Sequence, residues 1–150
     1  MCNVVTQNRG YPPQMKNGLK ILIVEDEYIS RTLLSGMLSD FGSCVIAADG
    51  NQAVEILEYS FRSDERFDLV CLDIVMPELS GQEVLRAMRN MERKLGIDGD
   101  RATKVIMTTV LGDSINIMQA FKQGNCEAYL TKPIDKVQLI QLLQDLKLIA

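Results

Sequence analysis

An open α/β fold, with a five-stranded parallel sheet wound on both faces by five helices, is predicted by three observations. Short apolar runs alternate along the chain with stretches whose apolar residues recur at helical spacing. The runs are nearly continuous, as strands buried on both faces require. Of the 150 residues, 47% are hydrophobic and 24% charged, enough for one sizeable core. Strict alternation of strand and helix implies right-handed crossovers and helices on either side of a single sheet.

Residues 1–18, MCNVVTQNRGYPPQMKNG, contain Gly10, Pro12, Pro13 and Gly18 and no sustained period, so a flexible leader is expected, followed by one domain over residues 19–150. The predicted strands are KILIVE (20–25), SCVIAA (43–48), FDLVCL (67–72), TKVIMTT (103–109) and EAYLT (127–131). Helical spacing follows in Ile29, Leu33, Met37 and Phe41; in Val54, Leu57 and Phe61; and in Leu85, Met88 and Leu95. It recurs in Ile115, Met118 and Phe121, and last in Val137, Ile140 and Leu143. Ser80 with Glu83 reads as a capping box, and Asp49 with Gln52 and Asp135 with Gln138 as acidic versions of it. The stretch NMERKLGIDGDRA (90–102) reads as a helix end and a long polar loop.

Composition excludes several functions. Runs such as LKILIV and VIMTTVL are far too short to span a bilayer, and the N-terminus lacks a basic-then-apolar export signal, so a cytoplasmic protein without a membrane segment is expected. Cys2, Cys44, Cys71 and Cys126 show no CxxC spacing, and the chain has no histidine, which favours reduced structural thiols over a zinc or disulfide site. The net charge is −4 and the basic residues are scattered, so no direct contact with nucleic acid is expected.

Parallel open sheets bind ligands beyond the carboxyl ends of their strands. Here the first strand runs into Glu25 and Asp26, the third into Asp73, the fourth into Thr108 and Thr109, and the fifth into Lys132 and Pro133. Three carboxylates on one rim repel one another unless a cation shares the site, and all-oxygen donors suit a hard ion such as Mg²⁺. Lys132 and the Thr109 hydroxyl are suited to the oxygens of a phosphoryl group, and an aspartate can carry that group as an acyl phosphate. Each of these residues alone is ordinary cap, strand or surface chemistry; their conjunction is not. Thr108 and Met107 read as strand filler.

With VEDE, LDIVMPELSG, VIMTTV and AYLTKP in place, residues 19–150 resemble the receiver domain of two-component response regulators, in particular the stand-alone kind typical of chemotaxis. The resemblance implies a flavodoxin-like strand order 2-1-3-4-5. It implies that Asp73 accepts a phosphoryl group from a histidine kinase, with Mg²⁺ held by Glu25, Asp26, Asp73 and the Val75 carbonyl. Thr109 would bind the phosphoryl oxygens, Lys132 would pair with them, and Tyr129 would be the aromatic that turns with Thr109. It also implies a cis bond between Lys132 and Pro133, and control of water access by Val75, Val110 and Leu111. Val110 departs from the small residue usual after the hydroxyl, and the 90–102 loop is longer than in minimal receivers. No output domain follows LLQDLKLIA, so a single-domain regulator is expected, acting on an unknown protein partner through its fourth and fifth helices and fifth strand.

Two other readings arise from the same residues. One is a relay member passing phosphate to a histidine phosphotransfer protein. The other is an aspartyl-nucleophile phosphatase, which Val75 disfavours because such enzymes place a second acid two residues after the nucleophile. Neither GxGxxG nor GxxxxGK[ST] occurs, which disfavours a nucleotide-binding fold.

Overall fold

The computed structural model describes residues 18–110 and 126–150. Strands β1 (Leu19–Val24), β2 (Gly42–Ala47), β3 (Leu69–Asp73), β4 (Lys104–Thr109) and β5 (Ala128–Thr131) form one parallel sheet in the order β2-β1-β3-β4-β5. The described helices are α1 (Tyr28–Leu38), α2 (Gly50–Arg62), α3 (Gly81–Lys94) and α4 (Lys136–Asp145), with a 3₁₀ turn at Gly99–Arg101 inside the expected loop. The leader, Cys2, Leu111 and the helix expected around Ile115, Met118 and Phe121 lie outside the described residues.

Successive side chains of β1, β3 and β4 enter opposite cores, as the two-residue period demands, whereas the edge strands depart from the expected burial on both faces, β2 leaving Val45 and Ile46 exposed and β5 leaving Tyr129 exposed. Leu22, Val24, Val70, Leu72, Val105 and Met107 pack with α2 and α3 through Leu57, Val84, Leu85 and Met88. Ile21, Ile23, Leu69, Cys71 and Ile106 pack on the other face with α1 and α4 through Leu34, Leu38, Leu139 and Leu143.

Three helical stripes need correction. In α1 the residues facing the sheet are Leu34 and Leu38, whereas Ile29 and Leu33 are 63% and 58% exposed. Both stripes are apolar, so periodicity alone could not choose between them. Phe41 lies past the end of α1, half-buried against the same core. Leu95 caps the end of α3 and Val137 sits in the first turn of α4, and both are exposed. The capping box at Ser80 and Glu83 is present. Asp49 accepts from the Gln52 N–H, and Gln52 Oε1 reaches back to the Ala48 N–H at 2.6 Å. Asp135 differs, accepting from Val137 instead of Gln138, because the shorter Asx geometry is satisfied first.

Helix α3 begins at Gly81 pressed directly onto the end of β3. A Cβ at Gly81 would stand 2.1 Å from the Asp73 carbonyl oxygen and 2.9 Å from Ile74 Cα. The Gly81 N–H donates to the Ile74 carbonyl at 3.0 Å, so the close approach is also hydrogen-bonded.

The sequence reading missed a polar network at the amino ends of the strands. Glu92, 2% exposed, takes the Arg89 guanidinium at 2.7 Å and the Thr103 N–H at 2.7 Å. Arg89 also reaches Glu127 at 3.3 Å, and Glu127 accepts the Val105 N–H at 2.7 Å. Buried charges persist where each finds a partner. The available signal was Glu92 itself, an acid seven residues after Leu85 on the buried stripe of α3.

Candidate functional site

The carboxyl ends of the parallel strands bring the expected residues to one rim. Glu25 directly follows β1 and is 2% exposed; its N–H donates to Ala47 and its Oε2 accepts the Glu27 N–H at 3.1 Å. Asp26 beside it is exposed. Asp73 is the last residue of β3, 5% exposed, with Oδ1 accepting the Val75 N–H at 3.2 Å. Thr109 ends β4, buried, its hydroxyl donating to the Val110 carbonyl at 3.2 Å.

Lys132 follows β5, and its N–H donates to the Thr109 carbonyl at 2.7 Å. The Lys132–Pro133 bond is cis. Lys132 Nζ lies 2.6 Å from Glu25 Oε1 and 3.3 Å from Asp73 Oδ2, so one ammonium bridges two buried carboxylates. Tyr129 sits on β5, 44% exposed. Val75 and Val110, two residues after Asp73 and one after Thr109 in the chain, are 59% and 57% exposed.

The electrostatics follow from this geometry. Burial, together with the Glu25 charge and only partly offset by Lys132, pushes the Asp73 carboxyl up to about 7. Burial acts against the Lys132 ammonium, but its hydrogen bond to Glu25 and the charges of Asp73 and Glu25 outweigh that and hold its pKa above the ordinary value. Ligand oxygens of Glu25, Asp26 and Asp73 lie within 4.8 Å of one another, two of the three residues buried. Three carboxylates facing one ammonium, with the burial and mutual repulsion that raise the Asp73 pKa, are the condition a divalent, oxygen-seeking cation relieves, so the donor set fits Mg²⁺.

Arg31 was absent from the sequence reading. Its guanidinium donates to the Asp26 carbonyl at 3.1 Å and lies over the Tyr28 ring at 5.3 Å, tying the first turn of α1 to the acidic loop. A basic residue one helical turn after an acidic pair is common, and nothing in the sequence marked this one.

The fold and site find a counterpart among known proteins. A family model described as response regulator receiver domain matches residues 21–144. The chain belongs to that family. This receiver is 29% identical over 126 residues to the chemotaxis protein CheY of Listeria monocytogenes, covering 84% of its own length and 96% of that protein. It is 28% identical to the sensor protein GacS of Pseudomonas syringae pv. syringae over 88% of its length, yet spans only 14% of GacS. Among solved structures it is similar, with a TM-score of 0.71 and 26% identity, to a chain in the complex of the Saccharomyces cerevisiae histidine phosphotransfer signaling protein Ypd1 with the receiver domain of its downstream response regulator Ssk1. That match covers 85% of this receiver and 88% of that chain. Among the described residues of the receiver, no helix is long and apolar enough to cross a membrane.

Proposed function

We propose that this receiver accepts a phosphoryl group on Asp73 from a phosphohistidine and thereby changes which protein it binds. The observation that carries the reading is the buried Asp73 carboxylate, held between Lys132 at 3.3 Å and a cluster of acids whose oxygens lie within 4.8 Å. Glu25, Asp26 and Asp73, with the Val75 carbonyl, would hold Mg²⁺, which supplies neutralising charge to the phosphoryl oxygens. One Asp73 oxygen attacks phosphorus, the P–N bond of the donor breaks, and the imidazole leaves with the bonding electron pair. Lys132 already faces the reacting carboxylate and pairs with the incoming oxygens, and the Thr109 hydroxyl exchanges the Val110 carbonyl for them.

The donor is a histidine kinase or a histidine phosphotransfer protein. Tyr28, Ile29 and Leu33 are exposed on α1, and a cavity of about 90 Å³ that brings Leu33, Leu34 and Met37 together with Pro133 and Ile134 opens beside Lys132. An apolar face of this kind suits a helical partner presenting histidine, and the Ypd1–Ssk1 complex pairs a similar receiver with a phosphotransfer protein. This favours, as a second reading, a relay in which the phosphoryl group moves on to a phosphotransfer histidine.

Metal binding to the native acids alone should stabilise the fold in proportion to ln(1 + [Mg²⁺]/Kd), about 2.7 kcal/mol at a hundred times Kd. Asp26→Ala should lose most of that gain in melting temperature. A variant responding to millimolar Mg²⁺ as the parent does would remove Asp26 from the ligand set.

Output requires that phosphorylation make different contacts in two conformations. Thr109 is the group through which the phosphoryl oxygens reach Tyr129, β5 and α4. The phosphorylated Thr109→Ala protein should therefore show less than half of the amide shift changes that the parent shows across Ala128–Thr131 and Lys136–Asp145. Full-sized changes there would eliminate Thr109 as the switch.

Loss of the phosphoryl group requires water in line with the phosphorus. Val75 and Leu111 cannot hydrogen-bond such a water, and Val110 narrows the approach, so decay should be slow and small-molecule donors poor. Val75→Asn should change the decay rate several-fold, and Val110→Ala should speed loading by acetyl phosphate. Decay of the parent within seconds would show that these side chains do not govern access.

A further inference from the structure

We infer that the opposite pole of the sheet carries a second binding site, for a small phosphate-bearing anion with an apolar or planar part. A cavity of about 460 Å³ opens there between the amino ends of β3 and β4 and the end of α4. Its size lies within the range of small-molecule sites. Arg66, Arg101, Lys104 and Lys147 line it, against the two acids Asp68 and Asp100. In a chain of net charge −4 this is a local reversal of sign.

One of the acids is already engaged: Asp68 Oδ2 accepts the Lys20 N–H at 2.8 Å. The rim is braced by Arg66, which donates to the Arg101 carbonyl at 3.1 Å, and by Arg101, which donates to the Gly96 carbonyl at 2.6 Å. Among the described residues, the Lys104 and Lys147 ammonium groups take part in no hydrogen bond or ion pair. Lys147 is held at the cavity by a left-handed backbone, φ 60°, that ends α4. A lining that combines two ammonium and two guanidinium groups with Phe67, Leu146 and Leu148 suits phosphate oxygens together with an apolar or ring surface.

The site is separate from the acidic rim. β3 and β4 span five and six residues, so at about 3.3 Å per residue the cavity lies roughly 15–20 Å from Asp73 and Thr109. The acids at the far rim repel the class of ligand that this pole attracts.

The test is a titration of the full chain with inorganic pyrophosphate and, separately, adenosine 5′-monophosphate, followed by amide chemical shifts. EDTA keeps metal off the Glu25–Asp26–Asp73 cluster, and constant ionic strength removes general screening. Saturable shifts centred on residues 66–68, 100–104 and 146–148 are expected. Lys104→Ser combined with Lys147→Ser should weaken half-saturation at least tenfold while the melting temperature stays near that of the parent. Tighter binding of the nucleotide is expected and would assign the apolar wall to its base; tighter binding of pyrophosphate would overturn the apolar or planar part of the ligand. The inference is overturned if neither probe saturates at millimolar concentration, if sulfate reproduces the shifts, if the shifts centre on the Asp73 rim, or if the double variant binds as the parent does.

Discussion

Asp73→Asn is expected to abolish phosphoryl acceptance and, without metal, to make the protein more stable. The two effects have one cause. Burial and the Glu25 charge raise the Asp73 pKa to about 7, whereas an unfolded aspartate titrates near 4. Below pH 4 both states bind the proton and the mismatch costs nothing. Between pH 4 and pH 7 the unfolded chain ionises first, so stability falls as pH rises, and above pH 7 the penalty is constant. Three pKa units correspond to about 4 kcal/mol, and rearrangement of the site when Asp73 ionises lowers the expected cost to on the order of 2 kcal/mol. Asparagine resembles the protonated acid and leaves Lys132 its 2.6 Å pairing with Glu25. At pH 7.5 in EDTA the variant should melt roughly 4–8 °C above the parent, with the gain vanishing near pH 4. Mass spectrometry after incubation with a phosphodonor and Mg²⁺ should find no added phosphate. Labelling at the parent level would remove Asp73 as acceptor, and a melting temperature at or below the parent's would mean that its burial carries no such cost.

Gly81→Ala should injure both the fold and the chemistry, although Gly81 carries no functional group. Its Cβ would meet the Asp73 backbone, 2.1 Å from the carbonyl oxygen, and backbone cannot rotate away as a side chain can. Either α3 lifts from β3 or the Asp73 carbonyl moves. Overpacking of this kind costs about 1–3 kcal/mol, and a shift near 1 Å in a reacting group can cost about a hundredfold in rate. Gly50→Ala separates the two effects, because its added Cβ would stand 2.6 Å from the Leu79 carbonyl, in the loop before α3 and away from Asp73 in the chain. Gly36→Ala serves as the opposite control: nothing lies within 4 Å of its position in α1, and losing a helical glycine should stabilise by about 0.5–1 kcal/mol. Phosphorylation rates corrected for the folded fraction should fall far more in Gly81→Ala than in Gly50→Ala. Equal rates in the two would deny Gly81 any part in placing Asp73.

What could be read from the sequence was whatever is local or falls at the end of an apolar run. Each strand is an apolar stretch, wholly buried in β3 and nearly so in β1 and β4, and the acids and the lysine fall at the ends of those stretches, so parallel topology alone gathers them on one rim. The helix faces were harder. Ile29 and Leu33 repeat with the same period as Leu34 and Leu38, and only packing against Ile21, Ile23 and Leu130 decides which pair turns inward. Gly81 could be seen as a loop glycine, but its contact with Asp73 depends on the angle at which α3 meets β3. The Arg89–Glu92–Glu127 network and the basic cavity join segments distant in sequence, and no spacing rule connects residues that only the sheet brings together.

The ammonium of Lys132, lodged between Glu25 and Asp73, balances buried acids with a charge from the chain itself. In many small metalloproteins the ion is structural scaffolding, and removing it removes the fold. Here the chain brings its own cation to the acids, so folding without metal is the expected result. On the proposed function, metal and phosphoryl group would then arrive as inputs to a finished device, and their loss would reset it without dismantling it.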